Sequence, residues 1–350
     1  MFGRPPALAS LLERFREGQP VALARAISMV EDERPGFQEL LHAVLTRGPS
    51  ARRVGLTGPP GAGKSSLLAR VAGAHRARSE RLGIVAVDPT SPYSGGALLG
   101  DRIRMSELAT DPGVFIRSMA SRGSLGGLAT TTKEVIDLMD AFGFDRILVE
   151  TVGVGQTELA ITAAADTVVV VLVPESGDAI QAMKAGLMEI ADVFIVNKAD
   201  RPGSARLVKE IRQAIHLRTG HALEDVPAHH GVDLSRMGRP AAEPAKPPAA
   251  TDAWEVPVLT TNALTGEGLP RVIEALDAHR GWLEESGQLG VRRRARARVR
   301  VRDVVERELR RTAWSSDVVS ARLEGGLDRI QAGEGTPYSV AEEILALLLR

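Results

Sequence analysis

Within Val54–Ser65, VGLTGPPGAGKS, the residues Gly58, Gly63, Lys64 and Ser65 stand at the spacing G-x-x-x-x-G-K-[ST]. That pattern belongs to a loop that wraps phosphate. Glycines at 58, 61 and 63 keep side chains out of the way, so backbone N–H groups turn inward onto phosphate oxygens. A helix beginning at the end of the loop adds its positive pole at the same place. Lys64 is expected to reach the β- and γ-phosphates, and the Ser65 hydroxyl to ligate Mg²⁺. The expected nucleotide-binding stretch is Gly58, Pro59, Pro60, Gly61, Ala62, Gly63, Lys64, Ser65 and Ser66.

Two acidic positions follow apolar runs. Asp88 ends IVAVD and opens the Gly-, Ser- and Pro-rich segment DPTSPYSGGALLGDRIRM, which also carries Asp101. Asp88 is expected to orient an attacking water, and Asp101 to reach Mg²⁺ directly or through water. A turn or a helix cap is the plainer role for each. Glu150 ends RILVE, where phosphate-loop enzymes carry an acid, most often Asp, for the Mg²⁺ environment. Glu150-x-x-Gly153 resembles the D-x-x-G switch of GTPases, with the Gly153 N–H sensing the γ-phosphate. The water-orienting glutamine of small signalling GTPases would fall at 154, which is Val154, and Gln156 comes two positions later. Either another group activates the water or intrinsic turnover is slow.

Asn197-Lys198-Ala199-Asp200 closes the run VFIVN. The Asp200 carboxylate offers two acceptors to the N1–H and N2 amino donors of guanine, an arrangement adenine does not present. The Lys198 stem would cover the base, and Asn197 would brace the loop. Asn262, Ala263 and Leu264 sit where a final base-contacting loop is expected.

These residues need a scaffold that brings them to one edge. From residue 53 the chain alternates strand, turn and helix. Strands are expected at Arg53–Thr57, Ile84–Asp88, Gly113–Arg117, Arg146–Glu150, Thr167–Val173, Val193–Asn197 and Val256–Thr260. Most are unbroken Val/Ile/Leu runs, as for parallel strands buried on both faces. Helices are expected between them, among them Ser65–Arg78, Leu125–Phe142 and Ala179–Ile190. The reading is an α/β fold, a doubly wound, mostly parallel sheet forming a P-loop GTPase domain, with helical N- and C-terminal extensions. Ligands on such sheets bind at the carboxyl ends of the strands, where the residues above lie.

Residues 1–50 read as a helical arm with helices Ala7–Arg16, Pro20–Glu33 and Phe37–Thr46, in which His42 is expected to be a packing residue. Residues 51–285 form the nucleotide domain. Its Pro- and Ala-rich stretch 221–255 reads as a mobile insertion, and His229-His230 lacks the partners a metal site needs. Residues 286–350 form a helical extension. Seven arginines lie between Arg292 and Arg302 with no interleaved aromatics, which disfavours nucleic acid and reads as a charged helix face balanced by Glu306, Glu308 and other acids. The apolar terminal helix Val340–Leu349 calls for a cover, and a homodimer is expected.

The 350 residues carry 44 basic and 44 acidic side chains, so no net field draws the protein to polyanions or membranes. The absence of cysteine removes disulfides and thiolate chemistry. The N-terminus lacks a signal-peptide core, and Val168–Val173, the longest aliphatic run, is too short to span a bilayer, so a cytoplasmic location is expected.

GPPGAGKSS, VAVDPTSPYSGGALLGDRIRM, ILVETVGVGQTE, PESGDAIQAMKAG and NKAD, in that order, resemble the MeaB/ArgK family. Those P-loop GTPases are chaperones of adenosylcobalamin-dependent methylmalonyl-CoA mutase and have also been labelled transport-system kinases. The resemblance covers roughly residues 20–285. It implies hydrolysis of GTP to GDP with Mg²⁺, an acyl-CoA mutase as partner, cobalamin met only through that partner, and a homodimer. It assigns Asp88, Asp101 and Glu150 to the Mg²⁺ and hydrolysis site. It makes Pro174–Lys184 a third switch with Lys184 near the nucleotide. Alternatives are a phosphotransferase, for which no separate acceptor base is found, and a nickel or cobalt metallochaperone. The metallochaperones carry His- or Cys-rich segments that this chain lacks.

Overall fold

The computed structural model describes residues 6–46, 48–88, 106–120, 130–151, 160–174, 186–218 and 253–349. Seven strands form one sheet: β1 Arg52–Thr57, β2 Leu82–Asp88, β3 Val114–Ala120, β4 Arg146–Thr151, β5 Thr167–Leu172, β6 Val193–Val196 and β7 Val258–Thr260. Their order is β3-β2-β4-β1-β5-β6-β7, and every described pairing is parallel. The expected doubly wound α/β sheet is therefore the observed one.

Alternation along each strand sorts the core into two layers. In β5, Val168, Val170 and Leu172 face one layer and Val169 and Val171 the other. The first layer holds the helices α1 Pro6–Arg16, α2 Pro20–Glu31 and α3 Phe37–Val44, so the N-terminal helices share the sheet's own core. His42, expected to pack, is exposed on α3; the helix buries Phe37, Leu40, Leu41 and Val44 instead, the positions its 3.6-residue repeat turns inward. The second layer is filled by α4 Lys64–Arg76 through Leu67, Leu68 and Val71. A single turn, α5 Ser106–Ala109, precedes β3, and α6 Thr130–Phe142 returns to β4. The last helices of this part are α7 Ser204–Arg218 and α8 Leu269–Glu285.

The amino ends of the strands are tied by ion pairs. Arg53 on β1 donates to Asp140 on α6 at 2.7 and 3.0 Å, and to Asp137 at 2.9 Å. Arg146, only 1% exposed, donates to Glu80 and Asp277 at 3.0 and 3.2 Å. Asp166 and Asp192, just ahead of β5 and β6, receive Arg293 and Arg292 from the start of α9, Gln288–Trp314. Burial pushes the Asp192 carboxyl up, but the His279 ring and the Arg292 guanidinium beside it outweigh this and hold it below the ordinary carboxylate range. For these two arginines of the basic run, the balancing acids lie outside their own helix. Their partners lie 100 and 127 residues away in sequence.

The chain divides into two compact units, Met1–Arg293 and Arg294–Arg350. The second comprises the rest of α9 with α10 Asp317–Gln331 and α11 Pro337–Leu348. Val319 packs with Val340 and Ile344. A capping box starts α11: the Ser339 N–H donates to Thr336 Oγ1 at 3.1 Å, and the Thr336 N–H to Ser339 Oγ at 3.0 Å. Among the described residues, no helix is long and apolar enough to cross a membrane.

Candidate functional site

The loop Gly58–Gly63 joins the carboxyl end of β1 to α4, at the middle of the sheet. Two of its glycines are sterically required. Gly58 has φ 134°, and a Cβ there would stand 2.1 Å from the Val171 carbonyl oxygen of the neighbouring strand. Gly63 has φ 82° at the N-cap of α4, and a Cβ there would stand 2.4 Å from Asn197 Nδ2. Both positions combine the left-handed region with a close approach, so only glycine fits.

Lys64 folds back over the loop it ends. Its Nζ donates to the Gly58 and Pro59 carbonyls at 2.8 and 3.0 Å. Ser65, one residue on, donates from Oγ to Glu150 Oε1 at 2.7 Å, and both side chains are buried. Ser66 is half-buried on the same first turn of α4. The β1–β4 register sets Leu56 opposite Glu150, so the strand ends deliver Gly58 and Glu150 to one edge. Below them, Thr151 Oγ1 donates to Thr57 Oγ1 at 3.1 Å, a link between the two strand ends that motif reading did not single out. Asp88 is the last residue of β2, where Val87 pairs with Thr151, so its backbone reaches the same edge. Asp101, Gly153 and Lys184 lie outside the described residues, as do Val154, Gln156 and His229-His230.

Asn197, buried at the end of β6, joins two loops. Its Nδ2 donates to Ala62 O of the phosphate loop at 2.8 Å. Its Oδ1 accepts from Thr261 Oγ1 at 3.2 Å and from the Ala263 N–H at 3.0 Å. Lys198 takes φ 55°, which turns the chain so that the Ala199 N–H meets Thr261 O at 3.0 Å. Asp200 is exposed and accepts from Asn262 Nδ2 at 2.9 Å through Oδ1. Asn262 Oδ1 in turn accepts the Leu264 and Thr265 N–H groups at 3.0 and 3.3 Å, an Asx-type turn. Lys64, Ser65, Glu150, Asn197, Asp200 and Asn262–Leu264 thus gather along the carboxyl edge from β4 to β7. Phosphate-type donors stand at its centre, and a carboxylate with an ordered turn stands beside them.

The sequence profile of the family described as Methylmalonyl Co-A mutase-associated GTPase MeaB matches residues 23–317. A protein of Pyrococcus horikoshii, provisionally named a GTPase, is 41% identical over 340 residues, covering 96% of each chain. GTPase ArgK of Escherichia coli is 32% identical over 286 residues, 81% of this chain and 78% of its own. The mouse methylmalonic aciduria type A homolog is 33% identical over 297 residues, 81% of this chain and 65% of its own. Among solved structures, that of a LAO/AO transport system kinase superposes over all of both chains with a TM-score of 0.64 at 24% identity, a likeness of fold.

Proposed function

This chain belongs to the MeaB family of mutase-associated GTPases, and from that premise we propose that its hydrolysis of GTP serves the assembly or protection of an adenosylcobalamin-dependent acyl-CoA mutase. Methylmalonyl-CoA mutase is the partner the family's name points to, and cobalamin would be met only through it. Lys64 and the N–H groups of Gly58–Gly63 would hold the β- and γ-phosphates. Asp200 would pair with the guanine N1–H and N2 donors. Asp88 would orient the attacking water, and Lys184 would stand near the nucleotide.

Ser65 and Glu150 suit Mg²⁺: both present hard oxygen, and their contact at 2.7 Å brings the two donors to one point. With Asp88 and Asp101 they form the proposed metal environment. When bound, the ion would neutralise charge shared between β- and γ-phosphate oxygens.

The observation that carries this reading is the double engagement of Asn197, which ties the phosphate loop at Ala62 to the turn at Thr261–Ala263. A site so joined meets both ends of one nucleoside triphosphate. The proposed dimer is supported by apolar side chains exposed on the second unit, among them Val301, Leu309, Val318 and Leu345. The test of the partner is phosphate release from GTP with titrated methylmalonyl-CoA mutase of the same source. We expect stimulation by the mutase and a mutase affinity that depends on the nucleotide, by the same factor as the mutase changes nucleotide affinity. The absence of both effects would rule out the mutase as partner.

A further inference from the structure

Arg70 lies on α4 six residues beyond Lys64, about 9 Å along the helix at 1.5 Å per residue. Its guanidinium leaves the helix and donates to two backbone carbonyls of the turn after β7. Nε meets Ala263 O at 3.1 Å, and Nη2 meets Leu264 O at 2.5 Å. The same turn is held through other atoms by the residues at the end of β6: the Ala263 N–H by Asn197, and the Asn262 amide by Asp200. Packing contributes little at its tip, where Leu264 is 78% exposed. Ala263 is anchored in the core beneath it, whereas the tip is held by hydrogen bonds, and Arg70 supplies those that come from the helix whose first turn carries Lys64 and Ser65.

We infer that Arg70 is a positioning residue for guanine recognition: it fixes the Asn262–Leu264 turn to the phosphate helix, so that base and phosphate contacts stand in a set relation before the nucleotide arrives. The inference rests on the reading of that turn as the base loop. A loop ordered in advance spends less binding energy on its own ordering. The planar fork of arginine reaches two carbonyls at once, whereas a lysine ammonium is a point donor on a flexible stem.

The experiment compares binding of GDP and of Mg²⁺-tripolyphosphate, which engages the phosphate half alone, in the full-length protein and its variants. Arg70→Ala is expected to weaken GDP about three- to tenfold, the range of one or two net hydrogen bonds, mainly through faster dissociation. Tripolyphosphate affinity should stay at the wild-type value, and Arg70→Lys should fall between. Wild-type GDP affinity in Arg70→Ala would overturn the inference. So would an equal loss for GDP and tripolyphosphate, since Arg70 would then support α4 as a whole. Asp200→Asn, measured alongside, separates the two levels. If it fails to shift preference from GDP to xanthosine diphosphate, the base-loop reading falls and takes the inference with it. If it shifts preference while Arg70→Ala is silent, only the inference falls.

Discussion

Lys64 places its ammonium on two neutral carbonyls of its own loop, those of Gly58 and Pro59. Phosphate oxygens are stronger partners, because a charge-assisted hydrogen bond is about twice as strong as one to a neutral acceptor. The lysine is therefore expected to bridge loop and nucleotide when both are present. Lys64→Ala should weaken GTP about tenfold or more, the loss of a hydrogen bond between charged groups, as read by calorimetry. Retention of wild-type affinity would exclude Lys64 from the phosphate contacts. Asp200 carries a different prediction. One of its oxygens already accepts from Asn262, which leaves the carboxylate oriented but exposed. Asp200→Asn replaces one acceptor with a donor that faces the donors of guanine and suits the C2 carbonyl of xanthine. GTP binding should fall and xanthosine triphosphate binding should rise, and a competition assay with both nucleotides reads the ratio. An unchanged ratio would detach Asp200 from the base.

At the scale of elements, local chemistry made most of the sheet legible. The run Thr167–Val173 was readable because every residue of β5 is buried, so no polar break interrupts it. Boundaries that depend on a neighbour were not. β2 begins at Leu82 rather than Ile84, since Leu82 and Gly83 pair with Val114 and Phe115. β3 runs past Arg117 to Ala120 because Ser118, Met119 and Ala120 find partners in Ala86, Val87 and Asp88. The phosphate loop was legible for the opposite reason, being contained in a few consecutive residues. Arg70 was not, because its acceptors lie 193 and 194 residues further on. The ion pairs at the amino ends of the strands were equally hidden, and one of them yields a pH prediction. His75 on α4 is fully buried beside Glu80, Arg146 and Asp277. Burial first, and then the Arg146 charge, lower its pKa from 6.5, against the pull of Glu80 and Asp277. The unfolded chain therefore takes up a proton that the folded one resists, and stability should fall as pH drops below about 6.5. Burial raises the Glu80 pKa, but Arg146 and His75 outweigh it and lower it from 4.5, so its contribution is lost only at more acid pH. Urea midpoints at pH 7, 6 and 5 should decline in the wild type and decline less in His75→Asn. Equal slopes would mean that His75 binds its proton equally well in the folded and unfolded chain.

The molecule as a whole separates its two kinds of polarity. Buried ion pairs hold the amino ends of the strands, while the hydroxyl, amide and carboxylate groups of the candidate site occupy the carboxyl edge. The second unit follows neither pattern. α9 has no buried residue along its 27 positions. Val301, Val305 and Leu309 repeat every fourth residue on one face, and they are 62%, 49% and 66% exposed. A stripe of this kind on a helix without a buried face calls for a cover, and a second copy of the chain is the cover the proposed homodimer supplies. Cutting away α11 would test this poorly, because it also uncovers Val319, whose packing against Val340 and Ile344 forms the small core of the unit. Val305→Glu with Leu309→Glu is the sharper variant. In a monomer both positions face solvent, where a surface substitution costs about 0.5 kcal/mol or less. In a dimer the same carboxylates would be buried without partners, at a cost of several kcal/mol for each ion. The double variant should therefore sediment as a monomer where the wild type sediments as a dimer, with an unchanged thermal midpoint at low protein concentration and unchanged affinity for GTP. A wild type that is monomeric at micromolar concentration, or a double variant that still dimerises, would show that α9 is not the dimer surface.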